Sequence, residues 1–581
     1  MKEVNILKLV TLTINGKKVE VEQGTSILNA AKLLDINIPT LCHMNLHDGS
    51  ESNPGSCRVC VVEVEGRRNL APACNTPVAE GMVVKTNTIK AITSRRNVVE
   101  LILSDHPQDC LLCEKSTNCE LQALAADMGI REIKYKGEMS TFPKDVSSAS
   151  IVRNLDKCIL CRKCVTVCSE VQTVSVLSAM NRGFETVISP AFGMPMVDTN
   201  CTYCGQCVSV CPTGALTEVN NTSKVWKALN NEEKIVIVQT APAVRAALGE
   251  EFGNEPGTAV TGKMVAALRA LGFNKVCDTN FAADLTIMEE ATELMDRIQN
   301  GGRLPMLTSC CPGWINFFED EFTDLLDVPS SCKSPQQMFG AIAKSYYAKK
   351  MNIDPKNMVV VSVMPCLAKK YEAARKEMNN EVDIVISTRE LAKMIKEAGI
   401  NFNSLADEEF DGFLGESTGA GAIFGVTGGV MEAALRTAYE WITNENLEDV
   451  EFTMLRGMDG IREATVQIKD MEVKAAIASG LGNARTLLNK IRSGEANYHI
   501  IEIMACPGGC IDGGGQPYLR GHYEHLEKRA NALYEEDRNK PHRKSHLNPS
   551  IIEVYDKFLD KPNSEIAHKL LHTHYFSKET N

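Results

Sequence analysis

Two runs of four cysteines constrain this chain more than any other feature of its 581 residues. Cys158, Cys161, Cys164 and Cys168 follow the spacing C-x2-C-x2-C-x3-C, and Cys201, Cys204, Cys207 and Cys211 repeat it, with Pro212 closing the second run. Thiolates at that spacing suit a pair of four-iron, four-sulfur cubes, in which the fourth cysteine of each run serves the other cube. Cys158, Cys161, Cys164 and Cys211 are accordingly assigned to one cube, and Cys201, Cys204, Cys207 and Cys168 to the other. The exchange ties both halves of the duplication into one compact unit, because neither half closes its own cluster.

Most of the other cysteines also fall in ligand spacings. A count of 22 would mean disulfides in a small secreted domain, but in a large chain with no export signal the better reading is metal. The start, Met1-Lys2-Glu3-Val4-Asn5, has no basic region followed by a sustained apolar segment, and no uncharged apolar run is long enough to span a bilayer. A cytoplasmic protein without an anchor is expected.

Val10 to Ile14 and Lys18 to Val21 alternate around Asn15-Gly16, a hairpin signal, and Ser26 to Leu34 reads as a capped helix, together a β-grasp opening. Cys42, Cys57, Cys60 and Cys74 follow as C-x14-C-x2-C-x13-C, a set that iron–sulfur or zinc would suit. After a helix expected over Ala91 to Leu103, His106, Cys110, Cys113 and Cys119 offer one imidazole and three thiolates, which on chemistry alone suits zinc.

Beyond Ser223 to Asn230 the pattern becomes strand, glycine and helix in alternation, an α/β domain with parallel strands whose first is Ile235 to Val238. Three apolar runs in it end in cysteine. Leu304 to Leu307 leads to Cys310-Cys311, Met358 to Val363 to Cys366, and Tyr498 to Met504 to Cys506 and Cys510 among five glycines. Ligands bind past the carboxyl ends of such strands. Cys506 and Cys510 are too few for a cube, so the other loops must complete the set; a structural metal site or buried free thiols is the alternative on spacing alone. With 44% hydrophobic and 23% charged residues the composition is that of an ordinary soluble protein, and a net charge of -12 argues against nucleic acid.

The three loops read Thr308-Ser309-Cys310-Cys311-Pro312-Gly313-Trp314, Met364-Pro365-Cys366-Leu367-Ala368-Lys369-Lys370-Tyr371-Glu372 and Glu502 to Pro517, and they resemble the three signature motifs of the [FeFe]-hydrogenases. The resemblance implies an H-cluster, a [4Fe–4S] cube joined through one cysteine to a diiron unit carrying CO, cyanide and a dithiolate bridge. By motif position Cys311, Cys366, Cys506 and Cys510 would hold the cube, with Cys510 as the bridge. Upstream, the Cys42 set resembles a plant-type [2Fe–2S] ferredoxin domain, Gly55 to Gln122 resembles the start of the large iron–sulfur subunit of respiratory complex I, where the His106 set carries a [4Fe–4S] cluster, and the doubled run resembles two-cluster ferredoxins. The inventory expected is one [2Fe–2S], three accessory [4Fe–4S] clusters and one H-cluster, with no flavin in this chain. Fold class follows: α+β iron–sulfur modules, then an α/β hydrogenase domain. The divisions are 1–88 (β-grasp), 89–145 (the His/Cys3 segment), 146–222 (two-cluster unit), 223–520 (catalytic) and 521–581 (C-terminal segment, its histidines surface or structural).

The same resemblance implies roles around the cluster. Lys369 would reach inward as a positive charge toward cyanide, Met364, Met504 and Phe424 would wall the cavity, and Pro242, Ala243 and Gln336 would line it, Ala243 standing where many members carry serine. For protons, Cys310 would be the first relay, followed by Glu290, Ser330 and Glu293, with Arg297 at the exit. Cys277 and Cys332 receive no function. Reversible hydrogen oxidation is the implied activity. A complex-I-like start and no dinucleotide fingerprint point to flavin-, NAD(P)- and [2Fe–2S]-bearing partner subunits, with electron bifurcation and ferredoxin. A monomeric ferredoxin-dependent enzyme is the alternative, and a non-catalytic assembly or sensory protein of the same fold is the third.

Overall fold

The computed structural model describes residues 8–469 and 471–578, so the opening stretch Met1 to Asn5 lies outside the described residues. Asn15 and Gly16 both take positive φ, 49° and 83°, as a two-residue hairpin requires, and they pair Leu9–Ile14 with Lys17–Glu22. Val10, Leu12 and Ile14 alternate into the core. Ser26 accepts the Asn29 N–H at 3.2 Å and starts the helix Ile27–Lys32. Val83–Lys85 adds to the hairpin in parallel and completes a five-stranded sheet. The following helix, Ile89–Ser104, is pinned to it by Arg95, whose Nε donates to the Val61 carbonyl at 2.9 Å.

The duplicated unit is thin in regular structure. One three-residue strand from each half, Ile151–Arg153 and Leu216–Glu218, pair antiparallel, and each half has one four-residue helix, Lys163–Thr166 and Gln206–Ser209. Arg162 and Gly205 stand in the left-handed region ahead of those helices. Elements this short do not hold themselves together.

The catalytic region contains two four-stranded sheets. The first is parallel throughout, in the order Lys275–Asp278, Ile235–Thr240, Met358–Met364, Ile384–Ser387. The second runs Met306–Leu307, Ile500–Met504, Met471–Ser479, Ile461–Ile468. Here the expectation of parallel strands is corrected: Ile461–Ile468 and Met471–Ser479 pair antiparallel, because so short a connection admits only a hairpin while a parallel pair needs a crossover. Valines and isoleucines of the first sheet form one core. A second core is shared, with Val167, Tyr203 and Val208 of the two-cluster unit packing with Trp314, Phe317 and Ile503. The C-terminal segment wraps the same region; its helix Glu524–Asn539 sends Arg529 to the Ile511 carbonyl at 2.8 Å. No helix among the described residues is long and apolar enough to cross a membrane.

Candidate metal centres

Cys42, Cys57, Cys60 and Cys74 are all buried, with the Cys60 and Cys74 sulfurs 3.4 Å apart and Cys42 in reach of Cys57 and Cys74. His106 is buried too, and its Nδ1 has no hydrogen-bond partner, which fits a ligand nitrogen better than a packed imidazole. Burial holds its pKa below the ordinary value, which keeps the ring neutral. Cys110 is exposed, while Cys113 and Cys119 are partly buried.

The doubled run sorts its thiols as the crossing requires. One apolar cavity is lined by Cys158, Cys161, Cys164 and Cys211, and a second by Cys168, Cys201, Cys204 and Cys207. The sites adjoin. Ser56 of the Cys57 loop donates to the Leu160 carbonyl at 3.4 Å, and a Cβ on Gly214 would stand 2.8 Å from the Cys113 sulfur, so both upstream sites meet the first cavity. From the second, Asn316 donates to the Cys201 carbonyl at 2.7 Å, and a Cβ on Gly514 would lie 2.7 Å from the Cys204 carbonyl.

The last four thiols come from three loops at the carboxyl ends of strands. Cys311 follows Met306–Leu307 as the N-cap of Pro312–Glu321, Cys366 follows Met358–Met364, and Cys506 and Cys510 follow Ile500–Met504. Glycine is needed where two loops meet: a Cβ on Gly513 would be 2.2 Å from the Pro365 carbonyl oxygen, which accepts the Gly515 N–H at 2.7 Å. Burial, then the neighbouring thiols Cys311 and Cys510, push the Cys366 thiol up; burial and Cys366 do the same for Cys506, and Cys510 is pushed up to about 12. Bare thiolates would be untenable together there. A cationic iron–sulfur group supplies the compensating charge and wants soft donors, so the residues fit it.

Cys310 projects beside this set, packed with Ile287, Phe424 and Met504. Burial, then Glu290, raise its thiol pKa well above the ordinary value, so it stays protonated. Glu290 is buried; its Oε1 accepts the Ser309 N–H at 3.4 Å and hydroxyl at 3.3 Å, while Oε2 has no partner. Burial, then Glu293, raise its pKa to about 8. Glu293 Oε2 accepts the Ser330 hydroxyl at 2.9 Å, and Oε1 accepts Arg297 at 2.5 Å. Arg297 also donates to the Val328 and Pro329 carbonyls at 2.8 and 2.9 Å. Helix Thr279–Gln299 therefore carries both glutamates and the arginine in one line outward.

Lys369 is buried and paired. Its Nζ donates to the Cys310 carbonyl at 3.0 Å and to both Glu372 oxygens at 3.1 Å. Burial opposes its charge most strongly, but Glu372 together with the Cys310 and Cys366 sulfurs outweighs it and the pKa is raised. Gln336 donates to Glu372 at 2.9 Å, as does the Ser334 hydroxyl, leaving the Gln336 Oε1 buried without a partner. Pro242 opens the short helix Pro242–Arg245, and the Ala243 carbonyl accepts Gln516 at 2.8 Å. Met364 and Met504 are buried.

Glu372 and Glu502 are the residues that sequence reasoning missed. Glu502, alone among apolar neighbours in its strand, accepts the Gly428 and Met431 N–H groups at 2.6 and 2.8 Å, and burial raises its pKa to about 7. A single acid inside an apolar run was the available signal.

Comparison with known proteins agrees with this geometry. The family profile described as iron only hydrogenase large subunit, C-terminal domain, matches residues 234–514, and the iron hydrogenase small subunit matches 523–578. Upstream match a 2Fe-2S iron-sulfur cluster binding domain at 8–89, an NADH-ubiquinone oxidoreductase-G iron-sulfur binding region at 95–134 and a 4Fe-4S dicluster domain at 157–215. The chain is 61% identical to the NADP-reducing hydrogenase subunit HndD of Solidesulfovibrio fructosivorans, over 99% of this chain and 100% of that one. It is 42% identical to iron hydrogenase 1 of Clostridium pasteurianum, over 97% and 99%. Among solved structures, the apo [FeFe]-hydrogenase HydA1 of Chlamydomonas reinhardtii is 42% identical with a TM-score of 0.55, covering 62% of this chain and 99% of its own.

Proposed function

Since the chain belongs to the iron-only, or [FeFe], hydrogenases and is an enzyme built on an H-cluster domain with 2Fe-2S and 4Fe-4S modules, we propose that it is the hydrogen-handling subunit of an NAD(P)-linked assembly. It catalyses H2 ⇌ 2H⁺ + 2e⁻, and its twenty candidate ligands hold one [2Fe–2S], three accessory [4Fe–4S] clusters and one H-cluster. When bound, that cluster would supply the redox chemistry at an open iron, taking the two electrons from H2 or returning them to protons as the accessory clusters carry them away or deliver them. Everything else falls to the chain. The observation that carries the reading is the connected set of thiol sites: the Cys42 and His106 sites each reach the first cavity, the two cavities share Leu177, and the second reaches the loops that carry Cys311 and Cys510.

In this reading Cys311, Cys366, Cys506 and Cys510 hold the cube. Lys369, kept charged by Glu372, places a cation and its donors in a water-poor pocket beside Cys310. Met364, Met504 and Phe424 exclude water, and Pro242, Ala243 and Gln336 line the cavity. Protons pass between Cys310 and solvent through Glu290, Ser330, Glu293 and Arg297. Glu290, protonated up to about pH 8, holds the proton in waiting.

Partners bearing flavin, NAD(P) and [2Fe–2S] groups, with ferredoxin as second acceptor and electron bifurcation between them, belong to the same proposal, as does a cytoplasmic setting. HndD is named as a subunit and as NADP-reducing. The test is hydrogen-dependent NAD(P) reduction, assayed first with this chain alone and then with subunits that co-purify. The isolated chain should reduce one-electron dyes and leave NAD(P) untouched until the partners return. Pyridine-nucleotide reduction by the chain alone would defeat the proposal, and full activity with ferredoxin and no stable partner would establish the monomeric alternative.

A further inference from the structure

Cys332, like Cys277, is a thiol that neither the clusters nor the proton route uses, yet it is not packed at random. It is 1% exposed, and its sulfur lies 3.9 Å from Glu293 Oε2. His572, from the C-terminal segment, comes to the same spot, held there by backbone pairing of Cys332 with His572 and of Thr573 with Ser331. One ligand atom each from Glu293, Cys332 and His572 lie within 4.8 Å of one another. The imidazole is already set as metal sites set it. Its Nε2 is fixed by Glu289 Oε2 at 3.1 Å, the carboxylate support that orients a ligating histidine, and its Nδ1 contacts the Ser331 hydroxyl at 2.8 Å. Glu289 is in turn held by the Tyr555 hydroxyl and the Asn563 N–H, at 2.5 and 2.7 Å.

We propose that Glu293, Cys332 and His572 form a binding site for zinc, or a similarly soft divalent cation, that closes the proton route. A thiolate, an imidazole and one carboxylate oxygen are a zinc donor set; His572 Nδ1 exchanges the Ser331 hydroxyl for the ion, and that hydroxyl, which also donates to Glu293 Oε2 at 3.3 Å, or a water takes the fourth position. Charge permits it: two anionic ligands match the dication, and Arg297 stays on the other oxygen of Glu293, Oε1. Binding releases the Cys332 thiol proton to solvent; no electrons move. Glu293, whose side chain is 14% exposed, gives the ion a way in from the surface. Once its Oε2 is ligated, that oxygen no longer accepts the Ser330 hydroxyl, and the relay is cut at its outer station. The blockade rests on the proton route proposed above, whereas the metal site does not.

The experiment uses the cluster-loaded chain, zinc alone as the probe, and two variants outside the relay, Cys332→Ala and His572→Gln. Zinc binding is measured by equilibrium dialysis, the zinc shell by X-ray absorption, and iron content in parallel. Expected for the unaltered chain are one zinc with one sulfur neighbour at about 2.3 Å, unchanged iron, and hydrogen oxidation suppressed until a chelator is added. Because loss of even a supporting residue weakens metal binding about 10–100-fold, each variant should lose at least about 100-fold in zinc affinity. Cys332→Ala should keep its basal activity and escape inhibition. A zinc shell without sulfur, zinc gained only as iron is lost, or equal binding in Cys332→Ala would overturn the site. Sulfur-bound zinc with full hydrogen oxidation would overturn the blockade.

Discussion

The two-cluster unit and the catalytic domain use the same ligand atom and arrive at it by opposite routes. From Cys158 to Cys211 eight thiols crowd into one short segment whose strands have three residues and whose α-helices have four, the first running on into the π turn Val167–Val171. Cys311, Cys366, Cys506 and Cys510 are instead delivered by strands of two large sheets whose cores contain Val236, Val360, Ile386 and Ile503. In the first region the ligands are much of the interior; in the second the interior exists without them and leaves a cradle at its edge. Metal and fold should therefore depend on each other in one region and be separable in the other.

The largest effect that would break or sharpen this contrast is removal of iron. Hydrogen exchange on the iron-free chain should show Ile151–Arg153 and Leu216–Glu218 open while Ile235–Thr240 and Met358–Met364 stay protected. Equal protection in both regions would erase the distinction. Next comes Cys310→Ala, in the region where cluster and chain are separable. Iron content should hold while hydrogen turnover falls about 10²–10⁴-fold, the usual worth of a positioned proton carrier. Cys310→Asp should recover part of it, and near-native rates in the alanine variant would make Cys310 a packed thiol. Third is Glu372→Gln, which strands the buried Lys369 ammonium; about 3–5 kcal/mol of local stability should go, the cost of leaving a buried charge unpaired. Denaturant melts that match the parent protein would show that the Cys310 carbonyl alone suffices for Lys369.

What the sequence disclosed follows the same divide. Local spacing marked the candidate accessory ligands one by one, because a thiol two or three residues from the next leaves its mark on the chain itself. The sorting of Cys168 and Cys211 into opposite cavities was readable for that reason. The cradle was not readable from spacing, since Cys311 and Cys506 meet only through the parallel pairing of Met306–Leu307 with Ile500–Met504. There the likeness of three loops to a family did what periodicity could not. Glu372 escaped because its role depends on Lys369, Gln336 and Ser334 converging from two helices, and His572 because nothing local says that a C-terminal histidine returns to Cys332. The antiparallel hairpin at Ile461–Ile468 was missed because only the length of its connection marks it off from the parallel strands around it.

The last expected effect is the most gradual one, a slope. Glu290 has its pKa raised by burial, then by Glu293, from the ordinary 4.5 to about 8. Between those values the folded chain keeps a proton that the unfolded chain has lost, so stability falls as pH rises through that window, by about 1.4 kcal/mol per pH unit for one such group. Below pH 4.5 both states are protonated, and above about 8 both are ionised, so the slope ends at each side. Glu290→Gln removes the titrating group and should flatten the curve relative to the parent. Glu502 and Glu381, both raised to about 7, titrate in both proteins and cancel in the difference. The direct measurement is infrared: a protonated-carboxyl band in the parent that fades as pH passes about 8 and is missing from Glu290→Gln. A band that fades near the ordinary carboxylate range instead would mean that water reaches Glu290, and the catalytic region would then lack the dry, prebuilt interior that sets it apart from the two-cluster unit.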